Sequence, residues 1–123
     1  MTIDRWLWPD LFKNQDTSVA KAKKAISEYK KANGRPEGMA ELMVFYCERA
    51  SGFSADVGYQ DDGYFDALVR MFEQSLQVIA TLPDTQRRPL WSRLAQVRRT
   101  SDNFGYGVAD DMDALLAEYG VDG

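Results

Sequence analysis

The chain has 123 residues, 45% hydrophobic, 28% charged and 12% aromatic, within the range of one ordinary globular domain. Fifteen Lys and Arg against nineteen Asp and Glu leave a net charge of -4, which argues against direct nucleic-acid binding, since such proteins concentrate positive charge on one face. There is no histidine, so the commonest general base, the commonest zinc ligand and every Ser/His or Cys/His nucleophile pair are excluded.

The single cysteine, Cys47, cannot close an internal disulfide or build a zinc site, which fits a reducing, cytoplasmic setting. The first residues carry no apolar signal core, and no uncharged run reaches 18 residues. Neither a secretory leader nor a membrane span is expected.

Residues 1–15 form an aromatic arm containing Trp6, Leu7, Trp8, Leu11 and Phe12. A terminus this apolar frays unless docked, so the arm is expected to pack on the domain of residues 16–120. Its tryptophans would otherwise anchor a protein partner or a second copy of the chain.

Breakers at Asn33-Gly34-Arg35-Pro36, Ser51-Gly52 through Gly63, Leu82-Pro83-Asp84, Asp102 to Gly107 and Gly120 to Gly123 separate five stretches with helical spacing. No stretch alternates like a strand. The expected class is therefore all-α, as a five-helix bundle or stacked helical hairpins.

The first helix is predicted from about Thr17 to Asn33, capped by Asp16 or Thr17 and stopped by a left-handed Gly34. Val19, Ala22, Ile26 and Tyr29 make its apolar stripe. Lys21, Lys23, Lys24, Lys30 and Lys31 make a solvated basic face.

A second helix, about Glu37 to Ala50, follows Pro36. Met39, Leu42, Met43, Tyr46, Cys47 and Ala50 share one side, with Val44 and Phe45 on others, so this helix is expected to be central and Cys47 a small core residue. The third, about Asp62 to Leu82, has the clearest pattern: Phe65, Leu68, Val69, Phe72, Leu76, Ile79 and Ala80 at three- and four-residue steps. Tyr64, Met71 and Val78 add a flank, so two neighbours are required.

The fourth helix lies between Asp84 and Thr100, with Leu90, Trp91, Leu94 and Val97 inward and Pro89 opening or kinking its first turn. It holds Arg87, Arg88, Arg93, Arg98 and Arg99 within thirteen residues that contain no acid. On a helical wheel Arg98 falls inside the apolar arc, about 80° from Leu90. A guanidinium there is costly unless paired, and Asp110, Asp111 and Asp66 are its expected partners in a structural ion pair. The last helix, about Asp110 to Tyr119, presents Met112, Leu115, Leu116 and Tyr119 and stops at Gly120.

Charge falls in blocks: +2 over residues 1–50, -5 over 51–86, +5 over 87–99 and -6 over 100–123. The blocks are expected to satisfy each other internally, although the same layout would steer a charged partner. Two stretches 49 residues apart look alike, Gly58-Tyr59-Gln60-Asp61-Asp62 with Asp66-Ala67-Leu68, and Gly107-Val108-Ala109-Asp110-Asp111 with Asp113-Ala114-Leu115. Both read as helix starts, the aspartates accepting hydrogen bonds from first-turn amides. The TPR and ankyrin patterns are not present.

Known chemical motifs fail on their own terms. Gly58 to Gly63 has phosphate-loop spacing, but Tyr64 stands where lysine is required. Gly105-Tyr106-Gly107 has Asp110 at the third dinucleotide-fingerprint glycine. Neither glycine-rich loop supplies calcium ligands in EF-hand register.

The leading expectation is thus a non-catalytic protein-interaction or regulatory module without a cofactor. Its candidate contacts are Trp6, Trp8, Phe12, Tyr59, Asp61, Asp62, Tyr106, Asp110 and Asp111. One alternative is a divalent-metal protein or enzyme using Asp61, Asp62, Asp110 and Asp111. Another is an acidic inhibitor that imitates nucleic-acid charge.

Overall fold

The computed structural model describes residues 24, 26–32, 34–57, 62–105 and 107–121, without the side chains of 53–57 and 62–64. These residues form five helices and no strand: α1 over 26–31, α2 Pro36–Val57, α3 Asp62–Ile79, α4 Asp84–Thr100 and α5 Val108–Glu118. The arm of residues 1–15 and the start of the first predicted helix lie outside the described residues.

Helix α2 packs against α3 and α4, α3 also packs against α4 and α5, and α4 meets α5. The contact between α2 and α3 is the most extensive of these. Met39, Ala40, Leu42, Met43, Val44, Phe45, Tyr46 and Cys47 are all buried, so α2 is enclosed around nearly its whole circumference over two turns. Only a helix apolar on most sides tolerates that position. Along α3, Phe65, Leu68, Phe72, Leu76 and Ile79 are buried in one core that also takes Leu90, Leu94 and Val97 of α4 and Val108, Met112 and Leu116 of α5.

Helix α2 runs seven residues past its predicted end and through Ser51-Gly52. Glycine costs a helix only about 1 kcal/mol, and here Ala50 and Ser51 are buried, so packing outweighs the local preference. Helix α3 stops at Ile79 rather than Leu82, as Thr81 and Leu82 donate to the Val78 and Ile79 carbonyls at 3.0 and 2.9 Å. Pro89 lies within the second turn of α4 rather than at its start. Pro89 and Thr85, whose carbonyl the missing N–H would have served, both face solvent.

Gly34 was expected as a left-handed stop, yet positive φ occurs at Gly105, Gly107 and Gly120. Its role is steric. The buried Tyr29 ring lies across the α1–α2 turn, where a Cβ on Gly34 would stand 1.9 Å from Tyr29 Cδ1 and one on Gly38 1.9 Å from Tyr29 Oη. Gly120 does take the left-handed conformation, at φ 71°, and Val121 N–H donates to the Leu116 carbonyl at 2.9 Å, the six-residue closure that ends a helix on glycine.

Gly38→Ala is accordingly expected to destabilise the fold by about 1–3 kcal/mol through overpacking, against the usual gain of roughly 0.5–1 kcal/mol for alanine within a helix. In a Tyr29→Ala background the same change should become neutral or stabilising. Chemical denaturation of the four proteins completes the cycle, and an equal loss in both backgrounds would contradict the steric reading.

Candidate functional site

The structure sorts the five arginines of α4 by what meets them. Arg93 reaches α2, where its Nε and Nη2 donate to Glu48 Oε2 and Oε1 at 2.9 and 2.6 Å and its Nη1 donates to Glu41 Oε1 at 2.5 Å. Glu41 and Glu48 stand seven residues apart, two turns on one face, so one guanidinium spans both. The three side chains are 30 to 35% exposed, and the carboxylates hold the Arg93 guanidinium firmly protonated, Glu48 foremost.

Arg98 sits beside the apolar arc, with 22% of its side chain exposed. Its expected pairing is real, but the partners differ. Asp113 accepts from Nε and Nη2 at 2.6 and 3.0 Å, and Asp102 accepts from Nη1. Asp66 instead pairs with Arg70 on its own helix at 2.9 Å. Asp110 and Asp111 stay exposed on the first turn of α5. The bidentate bond to Arg98 holds the Asp113 carboxyl below the usual carboxylate range.

Asp110 and Asp111 were expected to cap their helix. The residue before α5 is instead Gly107, left-handed at φ 72°, with no side-chain cap; the two carboxylates complement the positive helix end from within its first turn. Phe104, in the turn before α5, is half-buried and stacks on Phe65 with ring centres 5.2 Å apart. Trp6, Trp8, Phe12, Tyr59, Asp61 and Tyr106 lie outside the described residues, as does the Asp62 side chain.

A shallow hollow of about 210 Å³ lies against the start of α5, lined by Ser101, Asp102, Gly105, Gly107, Val108, Ala109 and Asp110. It is smaller than the roughly 300–1,000 Å³ of most ligand pockets. Among the described residues no group of three or more His, Cys, Asp or Glu is placed to hold a metal ion. No helix there is long and apolar enough to cross a membrane.

Cys47 is fully buried, its sulfur 3.9 Å from Ser75 Oγ. Burial pushes its thiol up to about 12, despite an opposing contribution from Ser75, so the nucleophilic thiolate is suppressed at neutral pH. Ser75 Oγ itself donates to the Met71 carbonyl at 2.7 Å. The pair is core packing around satisfied polar groups.

The Arg93 bracket was missed in the sequence, where Arg93 is one of five similar residues. The available signal was on the other helix: Glu41 and Glu48, one heptad apart, flank the apolar run Leu42–Cys47 and stand on one face, where a single cation can meet both.

Because the Asp113 carboxyl is depressed in the folded chain, its contribution is present above the unfolded carboxyl range and is lost as pH falls through the lower folded value. Asp113→Asn should therefore lower stability at pH 7, and the difference from wild type should shrink below about pH 4. Denaturation midpoints across this range measure it, and a pH-independent difference would contradict the pairing.

Compared with protein-family models, with curated proteins and with solved structures, the chain matches none of them.

Proposed function

We propose that the chain is a non-catalytic helical module that acts by binding another protein, with the acidic start of α5 as its contact surface. The observation that carries this reading is the division of charge. The inward-leaning cations Arg93 and Arg98 are each held by two carboxylates of the same chain. Asp110 and Asp111, by contrast, are exposed and form no ion pair among the described residues. The one cysteine is shut inside the core. What is polar inside serves the fold, and charge that could meet a partner lies on the surface.

An exposed carboxylate pair steers association with a basic surface over about a Debye length, so the contact should be sensitive to salt. Asp61 and Asp62 belong to the similar stretch that leads into α3 and are proposed as part of the same acidic character.

Capture from the native host with wild type and with an Asp110→Asn, Asp111→Asn double variant tests this. The reading expects a protein retained by wild type at low salt and lost both at high salt and with the variant. A captured set that the substitution leaves unchanged would overturn it. So would a melting temperature raised by millimolar magnesium, calcium or manganese in wild type but not in the variant, which would make the aspartates metal ligands.

A further inference from the structure

The arginines of α4 differ in how many carboxylates they meet. Arg93 and Arg98 have two each, whereas Arg87 and Arg88 share one, Asp84, at 2.9 and 3.3 Å. Asp84 is itself 57% exposed, and Arg88 is 78% exposed. Among the described residues, the first turns of α4 thus carry one more positive than negative charge at the surface.

One turn along, Trp91 adds a second shortage. The Arg87 guanidinium lies over its ring, 5.4 Å from the centroid. The indole Nε1 and Arg87 Nε are both shielded from solvent and have no acceptor among the described residues. A shielded N–H without an acceptor forfeits a hydrogen bond that water or a partner would have supplied. Tryptophan and arginine are also the residue types that dominate the energetics of protein contacts.

We infer that this corner of α4, formed by Arg87, Arg88 and Trp91, is a docking site for a carboxylate-bearing peptide segment of a partner protein. An incoming Asp or Glu supplies the second carboxylate that Arg93 and Arg98 already possess. It draws Arg87 away from the ring and accepts from its fork. The indole N–H, without an acceptor among the described residues, donates to the other carboxylate oxygen or to a peptide carbonyl, while the half-buried ring, packed against the core, gives the partner an apolar contact. The site has the opposite charge to the acidic start of α5, goes beyond that reading, and stands or falls separately from it.

The test uses the full chain and a labelled dodecapeptide of alternating Glu and Gly, with a Gln-Gly peptide as control, followed by fluorescence anisotropy at low salt. Wild type is expected to bind the Glu peptide and not the control. Arg88→Gln and Trp91→Phe should each weaken binding, with about a tenfold loss when Arg87→Gln and Arg88→Gln are combined.

Asp84→Asn removes the competing carboxylate and should tighten binding, a gain that a merely structural Asp84 would not give. Asp110→Asn with Asp111→Asn should leave peptide binding no weaker, which separates this site from the α5 surface. Arg88→Gln, on the most exposed of these side chains, keeps the test open if another variant fails to fold. Equal binding of the Gln peptide, or unchanged affinity in Arg88→Gln and Asp84→Asn, would overturn the inference.

Discussion

Arg93 leaves α4 and is gripped between two glutamates on α2, Glu48 by a two-pronged bond and Glu41 by a single one. Between those carboxylates on the same face lies Val44, fully buried. The bracket therefore sits at the margin of the core, where water still touches about a third of each charged side chain. A fully exposed pair would contribute little, and a fully buried one would pay heavily for lost hydration. At the margin, the planar fork satisfies both glutamates at once, and the apolar body of α2 can be enclosed without stranding them.

The same principle governs the other side of α4. Arg98 joins Asp113 of α5 and Asp102 of the connecting turn, so α4 is tied by charge to a helix on either flank while Leu90, Leu94 and Val97 enter the core between them. The block of five positive charges that stands out in the sequence is thus divided: two arginines fasten helices, two share Asp84 at the start of α4, and Arg99 donates to Gln96. Among the described residues, only Arg93 and Arg98 thus answer carboxylates outside their own helix.

Apolar spacing made the helices legible. The stripe from Phe65 to Ile79 predicted α3 and its core face, and the all-round apolar character of residues 39–47 predicted that α2 would be central, because burial depends on patterns repeated within one helix. Ion pairing was only half legible. The wheel position of Arg98 indicated that it needed a partner, but which carboxylate it met depended on how α4 and α5 cross, and that geometry selected Asp113 over Asp110 and Asp111. Gly34 shows the same boundary: its place at a helix end was readable, whereas its reason, the Tyr29 ring lying over it, belongs to packing between segments.

The account rests on Arg93 being a structural fastener between α2 and α4. A double-mutant cycle of Arg93→Met with Glu48→Gln, measured by chemical denaturation at pH 7, addresses that most directly. The methionine keeps much of the aliphatic stem while removing the charge. A coupling energy of about 1.5–3 kcal/mol is expected for a charge-assisted, two-pronged bond at the edge of the core. Additive losses, with no coupling between the two positions, would contradict it.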